Sequence, residues 1–338
     1  MKNITKKPHF LNVTEQMIPQ RIDNFLISYI KLISKNKIYK LLRKGNIRVN
    51  KKRTPPKYKL KIGDKIRIPP IKEKYIFNIN KIFKKKCIKK CIIDKKILKN
   101  IIFEDECLII INKPSGIAVH GGSGISTGII EKFRILRPLC KNLELVHRLD
   151  KETSGVLIMS KKRSTLNFLH EQIKNNKIKK KYVALVHGQW PNSINTINLP
   201  LLKKKWNTNK SKKKVCVHNL GKPSETHFIV KKRFKNNTTL LYIYPITGRT
   251  HQIRVHTSHM KLPIVFDNRY GSKELDKKIK NRNGPFRLLL HAKEIQFIHP
   301  KNQKITILSA PLDKEFKNYL KNCKATKKNR GKNGSTKK

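Results

Sequence analysis

Between Gln20 and Pro70 the apolar positions follow a compact, self-contained pattern. Ile22, Phe25, Leu26, Tyr29 and Ile30 recur at i, i+3, i+4, i+7 and i+8, the spacing of an amphipathic helix. A second, shorter helix is predicted with Ile38, Leu41 and Leu42 on one face and Gly45 placed to end it. Ile47 and Val49 then alternate with Arg48 and Asn50 as in a half-buried strand. A Gly63-Asp64 turn leads into a second alternating strand, Lys65 to Ile68. Residues 71–100 carry no clear period and read as a linker with room for one short strand. Beyond them, Leu108 to Ile111 predict an apolar strand that ends at the Pro/Gly turn Asn112-Lys113-Pro114-Ser115-Gly116. Val156 to Met159 predict another buried strand, and Asn167 to Asn175 a helix. Tyr182, Ala184 and Val186 alternate along a further strand, as do Leu240, Tyr242 and Tyr244. Short strands and helices mixed in this way, without a regular βαβ alternation, predict an α+β fold. The end of the chain, from Lys321 onward, has almost nothing apolar and reads as a disordered basic tail.

Charge changes this picture most. The 338 residues carry 80 Lys+Arg against 20 Asp+Glu, a formal net charge of +60. Part of that excess belongs with the abundance of Lys, Ile and Asn that AT-rich codons supply, yet a surface this basic attracts polyanions, nucleic acid first. The second predicted helix sharpens the point. Lys37, Lys40 and Lys44 share its polar face with no acid at i+4, and Arg43 and Arg48 lie close by, so these five are expected to contact RNA. Six cysteines (Cys87, Cys91, Cys107, Cys140, Cys216 and Cys323) form no Cys-x-x-Cys pair. No metal site is expected from them, only reduced thiols in a cytoplasmic protein. The first residues lack the apolar stretch of a signal peptide, and no run nears the roughly 20 apolar residues that cross a membrane.

Two polar clusters carry candidate chemistry. His147-Arg148-Leu149-Asp150-Lys151-Glu152-Thr153-Ser154-Gly155 sets an acid between basic residues, just before a turn and a buried strand. A lone Asp there could simply cap the turn. Flanking Arg148 and Lys151, however, favour its ionised form, which a nucleophile or general base requires. The second cluster, Thr247-Gly248-Arg249-Thr250-His251-Gln252-Ile253-Arg254-Val255-His256, follows a strand and opens a helix. Gly248 would permit the sharp turn, and Arg249 would be placed to hold a carboxylate from another element by a two-point pair. Taken alone, the cluster could equally begin a phosphate-binding helix. His147 and His251 are read as structural hydrogen-bonders beside these motifs.

The stretch His147 to Gly155 resembles the signature of the RluA-type family of pseudouridine synthases, and further family-like motifs follow in order. Lys179 to Val186 resembles the motif that supplies an active-site Tyr, Gly248 to Arg254 the basic motif, and Arg287-Leu288-Leu289-Leu290-His291-Ala292 the last pocket strand. Arg21 to Leu26 and Ile38 to Lys52 resemble an S4 RNA-binding domain. Many family members carry Gly-Asp before Arg-Tyr-Gly where this chain has Phe266-Asp267-Asn268-Arg269-Tyr270-Gly271. With the S4-like stretch, that Phe is similar to the family's C-type branch, which acts on large-subunit ribosomal RNA. The resemblance implies an S4-like domain over 20–85, a linker over 86–100, and a catalytic domain over 101–315 built on a mixed, mainly antiparallel sheet, with a basic disordered tail over 316–338. It also implies isomerisation of a flipped-out uridine in ribosomal RNA, with Asp150 as nucleophile or base; a monomer is expected, since nothing in the sequence reads as a dimer seam. Arg249 would pair with Asp150, Tyr182 would stack on the base and take the carbon-5 proton, Leu290 would wall the pocket, and Arg148 would fill the space the base leaves. The reaction is neither redox nor group transfer, so no cofactor is expected. Competing readings are an S4-type RNA-binding protein without catalysis, a synthase acting on transfer RNA, and a nuclease. The last lacks the clustered carboxylates that two metal ions need.

Overall fold

The computed structural model describes residues 8–14, 17–18, 20–30, 35–70, 95–121, 128–137, 139–140, 142–205, 213–279 and 287–323. The chain divides into two units, Met1–Lys96 and Ile97–Lys338. In the first, the predicted apolar stripe becomes the core. Ile22, Phe25, Leu26 and Ile30 of and just after α1 (Ile22–Tyr29) pack with Ile38 and Leu42 of α2 (Lys35–Arg43). Gly45, at φ +67°, ends α2 as expected. Four short antiparallel strands close the unit in the order β1-β4-β2-β3: β1 (His9–Asn12), β2 (Arg48–Val49), β3 (Lys52–Arg53) and β4 (Lys65–Ile68). Asp23 is buried, and it accepts hydrogen bonds from Arg21 and the Tyr39 hydroxyl.

A 3-10 helix (Lys95–Asn100) spans the boundary and leads into the sheet of the second unit. The rest of the expected linker, residues 71–94, including Cys87 and Cys91, lies outside the described residues. Ten strands form one sheet, with the path β10-β13-β14-β9-β15-β8-β6-β5 and with β16 beside β15 and β7 beside β8. In chain order the elements are β5 (Ile101–Glu104), β6 (Leu108–Lys113), α3 (Ile129–Leu136), β7 (Glu144–Leu145), β8 (Ser154–Ser160), α4 (Arg163–Lys174), β9 (Lys179–His187), β10 (Thr196–Asn198), β11 (Leu201–Lys205), β12 (Lys213–Val217), β13 (Glu225–Phe234), β14 (Thr238–Pro245), α5 (Gln252–His259), α6 (Lys273–Ile279), β15 (Leu290–Ile298), β16 (Ile305–Ser309) and α7 (Lys314–Asn322). Strands β11 and β12 make a separate two-stranded ribbon. Every pairing among the described strands is antiparallel except β8 with β15, which run parallel for only two residue pairs, Ser154 with His291 and Gly155 with Ala292. The sheet is thus mixed and mainly antiparallel.

That parallel contact explains the end of the His147–Gly155 motif. A Cβ at residue 155 would stand 2.1 Å from the Ala292 carbonyl oxygen, and φ there is +112°, so only glycine lets the two backbones meet. Ser154 beside it donates to Nδ1 of the buried His291, whose Nε2 donates to the Ala310 carbonyl. The start of β8, and with it the loop that carries Asp150, is thereby locked to the sheet centre.

One expectation is corrected. Residues 316–322, assigned to a disordered tail, belong to α7. Phe316, Tyr319 and Cys323 fall at i, i+3 and i+7 and are buried, and Asp313 caps the helix by accepting the Phe316 N–H. Burial of this stripe against Val265, Phe266 and Leu289 outweighs the lysines between. Residues 324–338 lie outside the described residues. No described helix is long and apolar enough to cross a membrane.

Candidate active site

Asp150 lies in the loop between β7 and β8, with Leu149 turned into the core and Arg148 exposed beside it. The loop is held from below by the turn after β6. Lys113, 0% exposed, donates to the carbonyls of Pro114, Ile117 and Lys151, and Gly116 N–H also donates to Lys151. Burial draws the Lys113 amine down to about 7. Three carbonyl acceptors nevertheless require three N–H donors, which only the ammonium form supplies, and the geometry decides for the charged state. His147 accepts the Ile158 N–H through Nε2, and burial, then the charge of Lys180, holds it neutral at about 3. It is the structural hydrogen-bonder expected.

The Asp150 carboxylate, 17% exposed, faces a cavity of about 440 Å³. Arg148, Tyr182, Arg249, Arg254, His251 and Leu290 all line it, so every catalytic-domain residue expected at the site reaches the same cavity. The guanidinium that meets Asp150 is nevertheless that of Arg254, at 3.7 Å from NH1 to Oδ2. Arg249 is exposed in the turn before α5, and its Nε donates to the Pro223 carbonyl. The reason is helical register. Arg254 sits inside α5 on its buried side, whereas Arg249 precedes the helix. Gly248 does not supply the left-handed residue of that turn; His251 does, at φ +55°.

Arg254 is fixed by a buried partner that the motif reading passed over. Its Nε and NH2 donate to the two carboxylate oxygens of Asp267 at 2.8 and 2.7 Å, which leaves NH1 for Asp150. Burial opposes both charges. The two-point pair outweighs it, holding Arg254 above and Asp267 below their ordinary values. Asp267 also accepts the Arg269 and Tyr270 N–H groups, and the Tyr270 ring lies 5.3 Å from the Arg254 guanidinium. Asp267 lies in the Phe266–Gly271 stretch, where its place beside Arg269 and Tyr270 is the sequence signal for this partner.

His251 is the second group at Asp150, 3.7 Å from Nε2 to Oδ1. The Tyr270 hydroxyl accepts the Val215 N–H and so has its own hydrogen free for His251 Nδ1, at 2.8 Å. With the Asp150 carboxylate facing Nε2, the tautomer that carries the ring hydrogen there suits both neighbours, leaving Nδ1 to accept from Tyr270. Burial, partly offset by Asp150, draws the ring down to about 4, so it is neutral at pH 7. Tyr182, on β9, is held well above its ordinary range by burial and then by the charge of Asp150, so its phenol stays protonated. In the first unit, Lys37, Lys40, Arg43, Lys44 and Arg48 are all exposed, and Arg48 Nε donates to the Gly45 carbonyl.

The chain is similar to known proteins along most of its length. Residues 107–259 match the RNA pseudouridylate synthase family and residues 20–66 the S4 domain. Ribosomal large subunit pseudouridine synthase C of Buchnera aphidicola subsp. Schizaphis graminum (strain Sg) is 52% identical over 323 residues, covering 95% of this chain and 99% of its own. The protein of the same name from Escherichia coli (strain K12) is 44% identical over 328 residues, 95% and 98% of the two chains. Among solved structures, human RNA pseudouridylate synthase domain containing 4 superposes with a TM-score of 0.56 at 25% identity, over 70% of this chain and 97% of that one. Identity sustained at this level along nearly the whole of both chains means that the protein belongs to the RNA pseudouridine synthase family and carries an S4 domain in its N-terminal unit.

Proposed function

We propose that the protein isomerises particular uridines of large-subunit ribosomal RNA to pseudouridine, acting as a cytoplasmic monomer. The substrate reading rests on the names of its relatives. The observation that carries the chemical reading is the partly exposed Asp150 carboxylate facing a cavity, with Arg254 and a neutral His251 both 3.7 Å away. The bond from ribose C1′ to N1 of the base breaks, the base rotates, and C1′ joins C5. The proton lost from C5 is balanced by one gained at N1, so the change is redox-neutral and calls on no cofactor.

A base stacked in a helix cannot reach Asp150, so the target nucleotide is flipped out at a cost of a few kcal/mol. Asp150 begins the reaction as nucleophile at C1′ or as the base of an elimination. Arg254, anchored by Asp267, orients the carboxylate from one oxygen, and His251 does the same from the other. Tyr182 stacks on the base as a neutral phenol; removal of the C5 proton would require its ionised form, which burial disfavours. Leu290 walls the pocket, and exposed Arg148 fills the space left in the RNA. Arg249 works at the cavity mouth, where its exposed cation meets the strand. Lys37, Lys40, Arg43, Lys44 and Arg48 hold phosphates and contribute little sequence readout.

Carbodiimide-blocked primer extension on large-subunit ribosomal RNA tests the proposal. Discrete stops that depend on the protein are expected. Stops on ribosomal precursors but not on naked transcripts would move the substrate to an assembling subunit. Stops on transfer RNA and on no ribosomal RNA would contradict the substrate reading while leaving the chemistry intact.

A further inference from the structure

The cavity holds more than the reacting base requires. At about 440 Å³ it far exceeds one pyrimidine ring, and besides Tyr182 its lining includes a basic arm formed by Lys180, His170, Ile173, Lys174, Gly248 and Arg249. Lys180 and Tyr182 share one face of β9, two residues and about 6.6 Å apart along the strand. No hydrogen bond or ion pair joins the Lys180 ammonium to another described residue. It is also sheltered: burial lowers its pKa, and no carboxylate acts on it.

The chemistry of this arm is one-sided. Asp150 is the single acid in the cavity lining, against Arg148, Lys174, Lys180, Arg249 and Arg254. Arg254 is committed to Asp267, and Nε of Arg249 to Pro223. Nε2 of His147 is occupied by the Ile158 N–H, Nε2 of His170 bonds the Val146 carbonyl, and His251 faces Asp150. Lys174 is exposed and pairs with Glu171, and Arg148 is exposed; Lys180 is the sheltered cation left without a described partner, an ammonium with three donors and no acceptor. A uracil ring, with both a donor and acceptors on its edge, would be half matched there. An anion that only accepts is fully matched. Gly248 lies close by: a Cβ there would stand 3.9 Å from Lys180 Nζ, in ordinary contact with it.

We infer that this arm is a phosphodiester subsite, in which Lys180 grips a phosphate of the strand adjoining the flipped uridine and so sets how far the ribose enters toward Asp150. The inference rests on the isomerase reading above. A pairing between a desolvated ammonium and a phosphate is charge-assisted and belongs to the stronger class of hydrogen bonds. Lys180 is a binding and positioning residue, since it touches the substrate away from the reacting atoms.

The test uses short RNA substrates in which the phosphodiester immediately 5′ or 3′ of the target uridine is replaced by a neutral methylphosphonate. With the wild-type protein, one of the two replacements is expected to lower kcat/KM at least tenfold, and the other to matter little. Lys180→Gln should show the same loss on unsubstituted RNA and no further loss with the sensitive methylphosphonate, while Lys180→Arg recovers most of the activity. The salt dependence of binding by Lys180→Gln should be shallower by about 0.7 in log–log slope, one phosphate on a single strand. A methylphosphonate that costs the wild type nothing at either position would overturn the subsite, and that arm needs no variant to fold. Equal losses in wild type and Lys180→Gln would overturn it too. Absence of pseudouridine in unsubstituted RNA with the wild type would instead overturn the isomerase reading, and the subsite with it.

Discussion

Arg254 and Asp267 are 6% and 1% exposed, and each has the other as its main counter-charge. Removing one partner of such a pair leaves a charge stranded in the interior. Asp267→Asn should therefore destabilise the second unit by ~3 kcal/mol, read as a lower urea midpoint at pH 7. Activity should fall further than stability alone explains, because an unanchored Arg254 no longer presents NH1 to Asp150. A variant with an unchanged urea midpoint would mean that the pair contributes nothing to the fold. At this scale the sequence was partly legible. Asp150 stood out because it sits between cations before a Thr-Ser-Gly turn, and Tyr182 because it alternates with apolar residues on a strand. The choice between Arg249 and Arg254 was not legible. Both belong to one motif, and only the register of α5 and a carboxylate thirteen residues on decide which faces Asp150.

Glu104, at the end of β5, ties three elements together. It accepts from Arg137 just after α3, at 2.9 Å, and pairs with Lys161 just after β8, at 2.8 Å. Hydrogen bonding by Arg137 leads the causes that lower its carboxyl to about 2. The folded value lies below the unfolded one. Its stabilisation is therefore complete above about pH 4.5 and is lost as pH falls toward about 2. Urea midpoints of the wild type and Glu104→Gln should differ most at pH 6–7, about two units above the unfolded pKa, and should converge near the folded value. A gap that stays constant with pH would contradict this. Most elements were readable from period alone, including the two N-terminal helices, β6, β8, β9 and β14. Helix α7 was not, because Phe316 and Tyr319 sit among Lys314, Lys317, Asn318 and Lys321, which make the composition look like a tail, although Asp313 and the i, i+3, i+7 spacing were there to find. Phe266 next to it shows the same tension. It holds φ +58°, a conformation suited to glycine, and its ring sits edge-on to Tyr319 at 5.6 Å. Packing keeps in place a residue that local backbone preference disfavours.

Across the whole molecule the dominant quantity is the net charge of +60. In the S4 unit, Asp23 and Asp64 are buried and hydrogen-bonded inside, so the exposed lysines and arginines of α2 and β2 face solvent without a described acid beside them. Affinity for RNA should accordingly fall steeply with salt. Deleting residues 1–85 should raise the RNA concentration needed for half-maximal rate more than it lowers the maximal rate; the reverse would give that unit a catalytic or folding role. Charge announced the partner from the outset, but composition could not separate binding from catalysis, and that distinction comes down to one carboxylate. The most direct measurement is single-turnover pseudouridine formation by Asp150→Asn, with RNA binding measured on the same preparation. The account predicts no detectable product with affinity close to wild type. Product formed at a measurable fraction of the wild-type rate would contradict it and remove Asp150 from the chemistry.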